Sequence, residues 1–257
     1  MIKKPLILVT NDDGVNAAGI NYLAEFMSEL GDVVVVAPDQ PRSGQSHAIT
    51  IEVPLKYQLL PKSCQYPIYT CNGTPVDAVK IARNRILDRK PDLLVSGINH
   101  GSNSSVNVIY SGTVAAVLEG VMAGIPSVGF SLLDYSPFAD FEFLRHYVQK
   151  VANNVLEQGL PSNVGLNVNF PKFNAKPVKG LKVCRQAKAY WEEDFDIRKD
   201  PHDREYFWLK GKFKNLDGGE DTDEWALENH YVSVVPIQFD FTAHHAIENL
   251  KKWENHD

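Results

Sequence analysis

The chain has 257 residues, 44% of them hydrophobic, and a formal net charge of −6. That is enough apolar material for one large α/β domain, or one domain with an appendage, and it excludes a globally disordered chain. The acidic balance and the absence of a basic stripe exclude a general nucleic-acid binder, while leaving room for a small phosphorylated ligand held by a local positive site.

Cys64, Cys71 and Cys184 form no CxxC pair and cannot all pair internally, which suits a reducing compartment. Met1 leads directly into the first apolar run, with no charged and apolar leader ahead of a cleavage site. No apolar stretch reaches the roughly 18 residues of a membrane helix. The expectation is a cytoplasmic protein without a membrane span.

In chain order, LILVT (6–10) reads as a buried central strand and INYLAEFMSELG (20–31) as an amphipathic helix closed by Gly31. DVVVVAP (32–38) is a second strand, followed by a loop rich in Pro, Gly, Gln and Ser up to Ile49. ITIEVPLKYQLL (49–60) and YPIYTCNG (66–73) read as extended segments or a hairpin. TPVDAVKIARNRIL (74–87) starts with Pro75 in the first helical turn. PDLLVSGIN (91–99), IPSVGFSL (125–132) and VGLNVNFP (164–171) are further strands, alternating with helices over TVAAVLEGVMAG (113–124) and FEFLRHYVQKVANNVLEQG (141–159). This repeated alternation predicts a parallel, doubly wound α/β sheet.

Near residue 180 the texture changes, dividing the chain into a core, 1–180, and a segment, 181–257. Aromatic and charged residues then predict two strands around a long turn. LDGGEDTDE (216–224) reads as an acidic loop, HYVSVVPIQFDF (230–241) as a strand and TAHHAIENLKKWENHD (242–257) as a final helix. Tyr190, Trp191, Phe195, Tyr206, Phe207, Trp208, Phe213, Trp225 and Trp253 are too many rings for one hairpin to bury, so a second subunit is expected to cover them.

The chemistry sits where the strands end. Asp12 and Asp13 follow the first strand, Ser43 the second, and Asn99 closes the PDLLVSGIN strand. In a parallel sheet these loops emerge on one edge and converge. Adjacent carboxylates repel unless a cation joins them. Two carboxylates, a hydroxyl and an amide are hard oxygen donors that suit Mg²⁺, Mn²⁺ or Ca²⁺ rather than zinc. The competing reading is local: Asp12 or Asp13 in an Asx turn capping the next helix, with Ser43 and Asn99 as ordinary loop residues. Further on, Ser111, Gly112 and Thr113 stand where a helix begins, a place for an anion or for a plain N-cap. A metal beside a helix N-terminus describes phosphoryl hydrolysis.

Rival motifs fail. There is no GxGxxG after the first strand, no GxxxxGK[ST] and no GxSxG. Asp12-Asp13 lacks the DxD spacing of aspartyl-phosphate phosphatases. His244-His245 is an adjacent pair, which on a helix points in different directions and suits a surface role better than a metal.

Together, LVTNDDGVNAAGI, VVAPDQPRSGQSHAIT, NGTPVDAV, PDLLVSGINHGSN, YSGTVAAVLEG, GIPSVGFS, DTDEWAL and SVVPIQFDFT resemble the SurE family of survival-protein nucleotidases, over roughly residues 6 to 242. The resemblance implies a Rossmann-like core with a protruding C-terminal hairpin arm and a C-terminal segment swapped between subunits, in a homodimer or homotetramer. It implies one divalent cation per subunit, held by Asp12, Asp13, Ser43 and Asn99, and a phosphate pocket of Asn103, Ser111, Gly112 and Thr113. Val235, where many relatives have threonine before the proline, and Asn229-His230, in place of a glycine-containing turn, depart from the family pattern.

The activity implied is hydrolysis of nucleoside 5′- and 3′-monophosphates, with short polyphosphate as a further substrate. Asp12 is the candidate that also assists proton transfer, while Asn103 and Ser111, with the Gly112 backbone, steady the developing charge. The alternatives are a non-catalytic nucleotide- or phosphate-binding regulatory module, and a phosphatase for another small ester.

Overall fold

The computed structural model describes residues 4–61, 65–136, 138–172 and 177–254. Its frame is a nine-stranded sheet. Strand β1 (Leu6–Thr10) is buried at every position. Ile7 and Val9 join the apolar cluster on one face of the sheet, and Leu8 joins the cluster on the other. Burial on both sides is why this strand reads as an unbroken apolar run.

Helix α1 (Ala18–Ser28) leads to β2 (Asp32–Pro38), which pairs parallel with β1. The short β3 (Tyr57–Leu59) pairs antiparallel with β4 (Ile68–Cys71), and β4 runs parallel to β2. Helix α2 (Pro75–Ile81) starts with a capping box between Thr74 and Asp77. Strand β5 (Leu93–His100) then returns to the other side of β1. Helix α3 (Gly112–Met122), β6 (Ser127–Leu132), α4 (Arg145–Gln158) and β7 (Gly165–Phe170) continue outward with parallel pairing. The chain moves one way from β1 through β2 and the other way from β5, so the strand order reverses between β1 and β5. In open α/β sheets that reversal opens the ligand-binding crevice.

The register between β5 and β6 shifts between Ser96 and Asn99. Gly97 lies in this bulge with φ +125°, and a Cβ there would meet the Phe130 carbonyl oxygen at 2.3 Å. The bulge re-aims Asn99 at the sheet edge.

Beyond residue 180 the chain does not simply leave the core. Strands β8 (Leu181–Val183) and β11 (Val232–Ile237) complete the sheet, with β11 antiparallel to β7 and parallel to β8. Only β9 (Ala189–Lys199) and β10 (Glu205–Asn215) stand apart, as a two-stranded antiparallel arm. The expected acidic loop stops at Thr222, whose hydroxyl accepts from Trp225 N–H and starts helix α5 (Asp223–Glu228). Trp225 therefore belongs to the core side, stacked at 6.3 Å on Tyr231, and not to the arm. The extended segment expected over 49–60 pairs only at Tyr57–Leu59; Ile51 and Val53 are exposed and Pro54 interrupts the run.

The final helix α6 (His244–Leu250) passes into a short 3₁₀ turn ending at Trp253, and the expected continuation over 255–257 lies outside the described residues, as does Cys64. Cys71 and Cys184 are free and buried. Among the described residues no helix is long and apolar enough to cross a membrane.

Candidate metal and phosphate site

The three strand-end loops do converge. Asp12, Ser43, Asn99, Asn103 and Ser111 all line one cavity of about 180 Å³, together with Tyr110 and Tyr135. Asp13 borders it, accepting from Ser43 Oγ and from the His100 backbone N–H, each at 3.4 Å. Asn99 donates its amide N–H groups to the carbonyls of His100 and Gly101 at 3.2 and 2.9 Å. Its carbonyl oxygen is thereby the end presented away from those contacts.

Asp12 is 3% exposed and sits against the first turn of α3. Thr113 Oγ1 donates to its Oδ1 at 2.6 Å, and the Gly112 N–H donates to the same carboxyl group. A Cβ on Gly112 would lie 2.7 Å from Asp12 Cβ, so only glycine admits the carboxylate this close to the helix. Burial first, and then the neighbouring charge of Asp13, push the Asp12 carboxyl up to about 6. Burial also raises Asp13. Each carboxylate lacks enough positive charge within the protein to offset its neighbour. That imbalance, with hydroxyl and amide oxygens converging beside it, fits a hard divalent cation. No group of three His, Cys, Asp or Glu side chains able to hold a metal occurs among the described residues, so the donor set here is necessarily mixed.

The candidate phosphate residues divide by role. Ser111 caps α3, its Oγ accepting from Val114 N–H at 3.1 Å, and it lines the cavity wall. Asn103 lines the same wall. Thr113 does not; it is fully buried, with its hydroxyl committed to Asp12.

Sequence reading missed the scaffold behind Asn103. Asn103 Nδ2 donates to Ser131 Oγ, its backbone N–H donates to Asn169 Oδ1, and its carbonyl accepts from Asn167 Nδ2, all at 2.8 Å. Asn169 donates to Asn167 at 3.1 Å, which fixes both amides on β7. From the other side Asp223 accepts from Ser105 N–H at 2.8 Å and from Ala187 N–H at 2.9 Å, and Ser104 Oγ donates to Glu224. The signal was present in LNVNFP: two amides in a strand with every other position apolar, which bury only if something pairs with them. The Thr222 cap followed by Asp223 and Glu224 also marked a helix start.

A larger, apolar groove of about 670 Å³ lies on the other side of Ser111, between α3 and residues 235–241. Its lining carries no carboxylate, whereas Asp12 lines the smaller cavity. His244 and His245 are exposed on α6, with His244 paired to Asp240 at 2.9 Å.

Comparisons with known proteins identify the family. The family model described as Survival protein SurE matches residues 7–193. A protein from Christiangramia forsetii named 5′-nucleotidase SurE is 60% identical over 257 residues, covering 99% of each chain. One of the same name from Bacteroides fragilis is 50% identical over 98% of each chain. The crystal structure of the SurE protein from Aquifex aeolicus superposes with a TM-score of 0.85 at 38% identity, covering 98% of this chain and all of that one. With the family model matching most of the chain and relatives 50–60% identical over nearly its whole length, the chain belongs to the SurE survival-protein family.

Proposed function

We propose that this protein is a metal-dependent phosphomonoesterase that releases phosphate from nucleoside monophosphates. The observation that carries the reading is the pairing of Asp12 and Asp13 at the β1/β5 crevice, in one cavity edge with the N-terminus of α3. A protein that only bound a phosphorylated ligand would have no use for two carboxylates facing an anion. The names of the relatives from Christiangramia forsetii and Bacteroides fragilis support the substrate class.

Asp12, Asp13, Ser43 and Asn99 would hold one divalent cation, which when bound supplies charge neutralisation and lowers the pKa of water. The chain's own residues do the rest. Thr113 and the Gly112 N–H fix the Asp12 rotamer. Ser111 Oγ–H and the Asn103 amide donate to the phosphate oxygens as charge builds on them. Asp12, on the cavity wall beside the start of α3, would take a proton from the attacking water. The exposed rings of β9 and β10, such as Phe195, Phe207 and Trp208, support assembly into a homodimer or homotetramer through the arm.

The test is phosphate release from AMP by protein stripped of metal and then reloaded with Mg²⁺ or Mn²⁺. Activity is expected only after reloading, and in neither state for Asp13→Asn. Full activity after exhaustive chelation would overturn the metal-dependent reading.

A further inference from the structure

The two halves of the site hang on separate stretches of chain. Ser43 lies in the loop after β2, and Ser111 follows a 3₁₀ turn (Ser105–Ile109) that leads into α3. The turn is held from behind. Ser105 N–H donates to Asp223 at 2.8 Å, Ser105 Oγ donates to the Ala187 carbonyl at 2.9 Å, and Ser111 is buried as the cap of α3. The loop has no such backing. Ser43, Gly44 and Gln45 are exposed, and a Cβ on Gly44 would meet nothing within 4 Å. Ser43 Oγ reaches Asp13 only at 3.4 Å, too long a bond to hold the loop by itself.

This three-residue strap is fastened at its ends instead. At the near end the Arg42 backbone N–H donates to the Asp12 carbonyl at 2.7 Å, and Arg42 Nη2 donates to the Asn72 carbonyl at 2.9 Å. At the far end Ser46 makes two bonds to the exit of the 3₁₀ turn. Its Oγ–H donates to the Ile109 carbonyl at 2.7 Å, and its backbone N–H donates to the Tyr110 carbonyl at 3.2 Å. Those carbonyls stand immediately before Ser111, so Ser46 joins the metal half of the site to the phosphate half. The chain beyond it is fastened elsewhere: His47 to Glu119 at 3.4 Å, and the Ala48 carbonyl to Thr74 Oγ1 at 2.8 Å.

Ser46 also has φ +53°, in the left-handed region where glycine or asparagine is at home. Glycine would suit this backbone better than serine and would lack the hydroxyl. An unfavourable backbone kept beside a candidate site points to a use for the side chain.

We propose that Ser46 is a positioning residue, which holds Ser43 beside Asp12 and Asp13 by tying the far end of the strap to the carbonyls that precede Ser111. This rests on the metal-dependent reading of the Asp12 cavity and deepens it. Without the Oγ bond the strap is released and the buried turn stays where it is, so the loss falls on the metal and not on the phosphate.

The experiment uses Ser46→Gly, which relaxes the backbone as it deletes the hydroxyl. Its thermal transition without metal is expected to stay close to that of the wild type, since the relief offsets one lost hydrogen bond. Its dissociation constant for Mn²⁺, read without nucleotide from the electron paramagnetic resonance signal of the free ion, is expected to rise about tenfold. Ser46→Asn tolerates the same φ and supplies an N–H donor, and is expected to recover most of that affinity. With AMP, the Mn²⁺ concentration for half-activation should rise in step with the dissociation constant, while KM at saturating Mn²⁺ is unchanged. An unchanged dissociation constant in Ser46→Gly would overturn the proposal. So would a lowered thermal transition in both variants with no recovery of Mn²⁺ affinity in Ser46→Asn, which would make Ser46 a structural residue of the loop. If the wild type shows no Mn²⁺ binding that Asp13→Asn abolishes, the metal reading fails and the proposal falls with it. If Mn²⁺ binds there but AMP is not hydrolysed, the phosphatase reading alone fails, and the dissociation constants still decide the role of Ser46.

Discussion

The strand-end cluster and the hairpin arm are held in place by opposite means. At the crevice, Asp12, Asn103, Ser111 and Thr113 are buried; Asp12, Asn103 and Thr113 have partners on other elements, and Ser111 caps its own helix. On the arm, Phe195, Ile197, Phe207, Trp208 and Leu209 each show more than half of their surface to solvent. The crevice is specified by the fold of one chain. Beyond the tether of Trp191 to Asn107 near its root, the described arm is held by its own ladder, by ring contacts within it and by short-range ion pairs such as Arg198 with Asp196 and Lys199 with Asp203. Exposed pairs of this kind contribute little. On the proposed reading, the cluster carries chemistry that a single chain can organise, and the arm offers apolar surface that a second chain would cover.

The sharpest way to break this contrast is to remove charge at the crevice. Asp12→Asn and Asp13→Asn should each bring phosphate release from AMP to background while circular dichroism and the thermal transition stay cooperative. Loss of the fold in both variants would mean that the carboxylates are structural, and the division between chemistry and scaffold drawn here would collapse.

A smaller effect is expected one step back. Thr113→Val keeps the shape of the residue and deletes the donor to Asp12 Oδ1. Groups that orient metal ligands typically contribute 10–100-fold in metal affinity or activity. The expected result is an activity loss in roughly that range, accompanied by a higher Mg²⁺ or Mn²⁺ concentration for half-activation. Thr113→Ser should recover most of it. A loss confined to KM for AMP, with metal dependence untouched, would instead place Thr113 on the phosphate.

How much of this was legible in the sequence follows from what each part depends on. Asp12, Asp13, Ser43 and Asn99 could be found because strand direction alone brings their loops to one edge. The two amides of β7 could not be given a role, because their partner loop at Asn103 lies more than sixty residues away and the pairing exists only in three dimensions. The same holds for Asp223, which is separated from Ser105 by 118 residues. The boundary near residue 180 was legible as a change of composition. What composition could not convey is that β11 turns back to pair with β7, since strand order in space is not written in strand order along the chain.

The crevice should also leave a mark on stability. In metal-free protein the Asp12 carboxyl is pushed up to about 6, against 3.8 for an ordinary aspartate. The folded state therefore binds the proton more tightly than the unfolded chain. Its stabilising contribution is complete below pH 3.8 and is lost as pH rises towards 6, with a total of about 3 kcal/mol from the linkage relation. Asp13, Asp223 and Glu224 are shifted in the same direction, so the informative quantity is the difference between wild type and Asp12→Asn. Denaturant titrations of metal-free protein between pH 4 and 7 should show a shallower decline for the variant. Parallel curves would mean that Asp12 is ionised throughout this range.

The smallest effect on chemistry, and the largest on assembly, is expected from the arm. Truncation after Gly180 is the wrong cut, because it removes β8, α5 and β11 and with them the Asp223 contacts behind Asn103. The informative cut replaces residues 194–210 with an Asn-Gly turn joining Glu193 to Gly211, which are directly paired. It deletes the outer rings, Phe195, Tyr206, Phe207 and Trp208, and keeps the Trp191–Phe213 contact and the tether to Asn107. All four proposed metal ligands remain. Light scattering at micromolar concentration should show an oligomer for the full chain and a smaller species for the shortened one. The rate of phosphate release from ribose 5-phosphate per subunit should change little, since no group lining the Asp12 cavity has been touched. A monomer mass for the full chain would remove the second subunit as the cover for these rings. A shortened chain that keeps its mass but loses ribose 5-phosphate hydrolysis would show that the outer arm serves the crevice directly, reversing the assignment of chemistry to one region and assembly to the other.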